Sequence, residues 1–233
     1  MKKLSFVIEL VGPPGSGKTT LSKALCRRGG ILEGGFPDIR DMNNLIFFVR
    51  NGFAVFPAFC SLYQRKYEKR PMRQELAYMT ILTGWPRVLE HQSVSNGNAL
   101  ILDQGPVYML TRLFQYNPKF FTNRVARVWW HKTCRRWAGT LDLVICLDAQ
   151  DKTLIERIRR REKQHGIKTN SDQRAIQYLT DHRSAQEKAI LDLMHCGTGQ
   201  RVFSFDTSHT SLDETVTHIL ELLKNKQKYV DIK

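Results

Sequence analysis

The chain has 233 residues, 42% of them hydrophobic and 25% charged, which suits one sizeable α/β domain with helical insertions and excludes disorder and a fibre. Thirty-six basic against 22 acidic residues give a net charge of +14, a balance suited to handling polyanions. Nucleotides, nucleic acid and an acidic membrane surface all fit that charge, so it does not choose among them.

Met1-Lys2-Lys3 opens as a signal peptide does, but the apolar stretch Leu4 to Val11 contains Glu9 and runs into a glycine loop, which reads as a first buried strand. A helix is expected over Lys18 to Arg28 and a short strand over Gly30 to Leu32. Phe36 to Tyr67 is rich in aromatics (Phe47, Phe48, Phe53, Phe56, Phe59 and Tyr63 among them), broken by Gly52 and Pro57. Those side chains read either as the core of an inserted helical pair or as the lining of an acceptor pocket, so 36–92 is taken as a helical acceptor-side insertion. A long helix is expected over Pro71 to Gln92, then a strand at Ala99 to Leu102. Val107 to Trp137 reads as helix broken near Asn117-Pro118, and Leu141 to Leu147 as strand. Helices at Lys152 to Lys163 and Asp172 to His195, a strand at Val202 to Phe205 and a helix at Ser211 to Lys224 complete the chain. Strands alternating with helices predict a parallel sheet of about five strands, covered on both faces, in a single domain over 1–233. No apolar run reaches the roughly 18 to 20 residues that span a bilayer. The scattered cysteines Cys26, Cys60, Cys134, Cys146 and Cys196 form no C-x-x-C pair, which points to reduced thiols in a cytoplasmic protein.

The stretch Gly12-Pro13-Pro14-Gly15-Ser16-Gly17-Lys18-Thr19 matches every fixed position of the phosphate-binding loop and lies between a strand and a helix, as that loop requires. Glycines let backbone N–H groups curl around phosphate oxygens, and the helix N-terminus adds a positive dipole end. Gly12 to Thr20 is therefore read as the ATP-binding stretch, with Lys18 on the β- and γ-phosphates and the Thr19 hydroxyl on Mg²⁺. Asp103, where the strand Ala99 to Leu102 leaves the sheet, is the candidate second Mg²⁺ ligand, and Asp148 is its competitor. The fold so implied is the three-layer P-loop NTPase fold.

The order of features resembles thymidylate kinases and their deoxynucleoside kinase relatives. Met79 to Arg87 precedes Leu100-Ile101-Leu102-Asp103-Gln104-Gly105-Pro106, and Leu141 to Ala149 is similar to a further strand of that family. Glu156-Arg157-Ile158-Arg159-Arg160-Arg161 resembles the family's lid helix, and Val202 to Ser208 its segment at the adenine base. The resemblance implies a kinase passing the γ-phosphate of ATP to a small-molecule acceptor, a nucleoside or nucleoside monophosphate. Gln104 departs from it, standing where the family has arginine, and the family's substrate-side acid has two candidates, Glu33 and Asp38. Sugar and antibiotic kinases share the scaffold, so the acceptor stays open.

Arg157 and Arg161, four residues apart on one helix face, are the candidate catalytic arginines of a lid within 152–195. Gln164-His165-Gly166-Ile167-Lys168 supplies its glycine hinge. Arg87, near the end of a long helix, is a candidate acceptor ligand. Arg124 to Trp137 mixes bases with aromatics, which suits nucleic acid or a membrane surface. An amphipathic helix packing Trp129 inward explains the same spacing and disfavours a nucleic-acid partner. Exposed aromatics within 106–137 would suit a homodimer. No histidine pair has metal-ligand spacing, and none stands out as a catalyst. An NTPase switch acting with nucleic acid or membrane is the alternative, with Gln104 as its water-orienting residue.

Overall fold

The computed structural model describes residues 6–35, 44–63, 72–91, 99–116, 122–162, 165–197 and 201–230. Among these the chain runs β1 (Phe6–Val11), α1 (Lys18–Gly29), β2 (Leu32–Gly34), α2 (Leu45–Tyr63), α3 (Met72–His91), β3 (Ala99–Leu102) and α4 (Pro106–Tyr116). It continues through α5 (Arg124–Ala138), β4 (Leu143–Asp148), α6 (Asp151–Arg160), a 3₁₀ turn (Gly166–Thr169), α7 (Asp172–Cys196), β5 (Arg201–Asp206) and α8 (Leu212–Val230). The strands form one parallel sheet in the order β2-β3-β1-β4-β5. Each element lies within a few residues of its expected place. The short strand sits slightly later than expected, at Leu32–Gly34, where it pairs with β3.

Side chains alternate across the sheet with period two. Val7 and Val11 of β1, Leu100 and Leu102 of β3, and Val144 of β4 face the larger core, which α2, α3, α4, α5 and α7 complete. Ile8, Leu10, Ile101, Leu143, Ile145 and Leu147 face the other core, against α1 and α8. With apolar side chains on both faces, β1 lies at the centre of the sheet, and so its outgoing loop lies at the centre of the sheet edge.

Three aromatics of the basic helix belong to the core. Trp129, Trp130 and Trp137 of α5 are buried, as the amphipathic spacing allowed, so these three lend no support to the homodimer expectation. The aromatics of α2 divide: Phe47, Phe48 and Phe59 pack on the core, whereas Phe53 and Phe56 are exposed. One apolar helix among the described residues comes close to membrane length. Leu45–Leu62 has a mean hydropathy of 1.7 over 18 residues, because the apolar residues around Arg50 and Asn51 outweigh them.

Trp137 also repairs a defect in α3. Pro86 lies inside that helix and has no N–H to offer the Leu82 carbonyl one turn earlier. The Trp137 indole N–H donates to that carbonyl at 2.9 Å, in a buried position, and its ring meets Trp85 edge-on at 5.6 Å. Trp137→Phe should lower the unfolding free energy by about 2 to 4 kcal/mol, from a smaller ring and an unpaired buried carbonyl. In a Pro86→Ala background, where residue 86 regains its N–H, that cost should shrink by about 1 kcal/mol. Urea denaturation of the four proteins checks this, and strict additivity would refute the role given to the indole.

Candidate functional site

The loop after β1 takes its shape from two glycines in different ways. Gly12 has φ of 144°, and a Cβ there would stand 2.0 Å from the Leu147 carbonyl oxygen of β4, so no side chain fits. Gly17, with φ of 92°, has open space around it and is needed for its left-handed backbone at the start of α1. Lys18 then folds back over the loop, its Nζ donating to the carbonyls of Gly12 at 2.8 Å and Pro13 at 3.0 Å. Burial pushes its pKa down to about 8, with Arg161 adding to the fall and Asp103 and Asp148 opposing it.

The Thr19 hydroxyl donates to Asp103 Oδ2 at 2.9 Å. These hard oxygen donors, one in the first turn of α1 and one just past β3, fit a small divalent cation that completes its shell with phosphate and water. Asp148 is engaged elsewhere. Arg183 donates to both of its carboxylate oxygens, at 2.7 and 3.0 Å, and to Asp151 at 2.7 Å.

Two cavities open beside the loop, sharing Gly17, Thr20 and Arg161. The first, about 310 Å³, runs from Lys18, Thr19 and Asp103 to a far wall of Tyr108, Arg112, Tyr178 and His182. The second, about 380 Å³, lies between Gly15, Ser16 and Gly17 on one side and Leu147, Arg157, Thr207 and Leu212 on the other. Arg157 is fixed: its guanidinium donates to the Thr207 hydroxyl and carbonyl, both at 2.9 Å, and to the Gly15 carbonyl at 3.4 Å. It thus ties the loop to the segment Asp206 to Ser208. Arg161 is exposed and lines both cavities, just past the end of α6. Lys168 holds its backbone carbonyl from the 3₁₀ turn.

The other sequence candidates fall outside these cavities. Arg87 is exposed on α3 and sits near Arg136, because the helix turns Trp85 and Leu89 inward and residue 87 away from them. It lines neither cavity, which corrects its expected place at the acceptor. Glu33 lies on the edge strand and accepts from Ser22 Oγ at 3.4 Å, also away from both cavities. Asp38 lies outside the described residues, as does Gln164 of the expected hinge.

Several residues of the site escaped sequence reasoning. His182 and Tyr178 stack at 6.3 Å on α7, and His182 is buried with Nδ1 unpaired. Burial, and after it the nearby charge of Lys18, lowers the His182 pKa to about 4. The available signal was positional: Ala175, Leu179, His182, Ala185 and Ala189 form the buried stripe of α7, and a histidine among them is a polar residue placed inside. Arg112 of α4 donates to Gln115 Oε1 at 3.1 Å and reaches the Tyr178 hydroxyl at 3.4 Å. Glu9 is fully buried on β1, where its two oxygens accept from the Val107 and Tyr108 N–H groups, each at 2.8 Å. It therefore fastens the N-terminus of α4, and with it Asp103 and Gln104, to the strand that carries the loop.

A protein-family model described as an AAA domain matches residues 8–177. No curated protein matches the sequence. Among solved structures, the thymidylate kinase of Candida albicans is similar at a TM-score of 0.54 and 12% identity, covering 97% of this chain and 94% of its own. The YorR protein of Bacillus subtilis, solved in complex with phosphorylated GDP, has a TM-score of 0.53 and 15% identity, covering 95% of this chain and 98% of its own. At these identities the likeness is one of fold.

Glu9 provides a pH test of how the site is tied together. Burial raises its pKa from 4.5 to about 8, against the pull of the backbone donors. Between those values the folded chain holds a proton that the unfolded chain releases. The stability it contributes is thus present below about 4.5 and lost as pH rises through about 8. Across that window the unfolding free energy of the native chain should fall relative to Glu9→Gln by up to about 1.4 kcal/mol per pH unit. Denaturation at several pH values reads the difference. A constant offset would mean that the carboxylate is ionised throughout.

Proposed function

Given that the chain belongs to the AAA domain family, we propose that it is a Mg²⁺- and ATP-dependent kinase of a small-molecule acceptor, a nucleoside or nucleoside monophosphate. The observation that carries this reading is the pair of cavities meeting at Gly17, Thr20 and Arg161. Transfer needs a donor and an acceptor aligned across one phosphorus, and this arrangement offers a compartment to each. In this reading ATP enters with its base in the second cavity, between Arg157 and Leu212. Its phosphates lie on the backbone N–H groups of the Gly12 to Thr20 loop, where Pro13 and Pro14 form the turn and donate none. Lys18 leaves its carbonyl partners for the β- and γ-oxygens.

Thr19 and Asp103 would hold the cation. A Mg²⁺ ion held there would neutralise phosphate charge. Arg161, poised over both cavities, stabilises the charge of the moving group, while Arg157 keeps the base segment and the loop together. The helix α6 and the 3₁₀ turn that follows act as the lid and exclude water. The acceptor sits against Tyr108, Arg112, Tyr178 and His182.

The charge of that cavity favours a phosphorylated acceptor. Among the described residues its one carboxylate, Asp103, is already paired with Thr19, whereas Lys18, Arg112 and Arg161 are cationic. A hydroxyl acceptor gains from a general base, and a phosphate acceptor does not. Gln104 also lines the first cavity, which favours, as a second reading, an NTPase that directs water rather than an acceptor at the γ-phosphate.

Mg²⁺-dependent ATP consumption across nucleosides, nucleoside monophosphates, sugars and aminoglycosides separates these readings. One acceptor should raise turnover strongly, with nucleoside monophosphates first. Lys18→Ala should lower that rate by about 10²- to 10³-fold. Arg112→Ala should raise the KM for a monophosphate acceptor at least about tenfold while leaving the KM for ATP nearly unchanged. Turnover indifferent to every acceptor would overturn the kinase reading.

A further inference from the structure

The helix α2 presents its apolar side outward. Ile46, Val49, Phe53 and Phe56 recur three and four residues apart and so form one stripe. Ile46 is 80% exposed, Phe53 76% and Phe56 56%. The opposite side is apolar too, with Val55, Ala58 and Leu62 packed into the larger core against α3 and α5. A soluble surface helix ordinarily turns polar residues to water, so a continuous exposed stripe of this kind marks an interaction face.

The neighbouring helix adds charge. The chain just before α5 is joined to the end of α2 by the Asn123 side-chain amide donating to the Ser61 carbonyl at 2.9 Å. The outward face of α5 carries Arg124, Arg127, Lys132 and Arg135, with Val125 and Val128 each 47% exposed between them. Arg50 borders the stripe on α2, and neither helix contains an aspartate or glutamate.

From this combination we infer that the α2 and α5 surface docks on an anionic lipid bilayer, with α2 lying in the headgroup plane and Ile46, Phe53 and Phe56 entering the acyl boundary. Apolar side chains that project singly from a helix beside cations match the chemistry of such an interface. The net charge of +14 draws the whole molecule to the same surface. A second copy fits worse, because a two-fold contact would set two faces without acidic residues against each other. Nucleic acid would satisfy the arginines and leave Ile46 and Phe53 uncovered. Although α2 has the length and hydropathy to cross a bilayer, its Val55, Ala58 and Leu62 side is committed to the core, so it lies on the membrane instead of spanning it.

The test is co-sedimentation of the full chain with vesicles, without nucleotide, so its result does not depend on the kinase reading. Phosphatidylcholine vesicles should retain little protein, whereas those with about one-third phosphatidylserine should retain most of it, less as salt rises. Phe53→Ser with Phe56→Ser should weaken retention roughly tenfold or more. Ile46→Ser should weaken it by a smaller factor and guards against a folding artefact, with the circular dichroism spectrum and thermal unfolding midpoint unchanged in both variants. Equal sedimentation of native and double variant, or no retention on anionic vesicles, overturns the proposal. Loss of a dimer in the double variant, seen by light scattering without lipid binding, would assign the face to a second copy.

Discussion

A Cβ at residue 12 would lie 2.0 Å from the Leu147 carbonyl oxygen, so the chain leaving β1 must pass the end of β4 without a side chain. Everything at the site follows from that contact. With Gly12 pressed to β4, the loop curls back over the sheet edge, and Lys18 finds the carbonyls of Gly12 and Pro13 within reach. The start of α1 then faces β3 on the other side of β1, which brings Thr19 to Asp103. A single close approach therefore sets the distance between the loop and both neighbouring strands.

The site keeps its titratable groups dry and tethered. Lys18, Glu9 and His182 are all buried, and burial disfavours the charged form of each. Glu9 meets the open N–H groups at the start of α4, Asp148 meets Arg183, and Arg157 meets Thr207 and Gly15. Among the described arginines of α6 and its end, Arg161 stands apart, exposed and facing both cavities. Groups that hold the frame are thus separate from a group free to move toward a ligand, which is the division that a closing lid requires.

The helical layer beside the larger core shows a different economy. Two helices carry an internal proline, Pro57 in α2 and Pro86 in α3. In α3 the orphaned carbonyl is buried and is answered by Trp137. In α2 the proline lies on the outward side, where water can answer the carbonyl of the preceding turn. The same three-helix packing that hides Trp85, Trp130 and Trp137 turns Phe53 and Phe56 out. One set of contacts thereby builds both the core and the exposed apolar face.

The sequence by itself determined the local features. Short continuous apolar runs marked the strands, Gly12 to Thr19 marked the loop between strand and helix, and Asp103 and Asp148 were recognisable at strand ends. Such features depend on neighbours a few residues away, and that is the range over which pattern and spacing carry information. The sequence preferred Asp103 to Asp148, and the tertiary structure brings Asp103 to Thr19 and ties Asp148 to Arg183, although both end a strand beside β1. The tertiary structure alone brought Arg112, Tyr178 and His182, far from the loop in sequence, to its cavity, and took Arg87 and Glu33 away from it. It also decided which face of α2 is covered, because a helix apolar on every side has no periodicity to name its buried face, and only the packing partners α3 and α5 choose one.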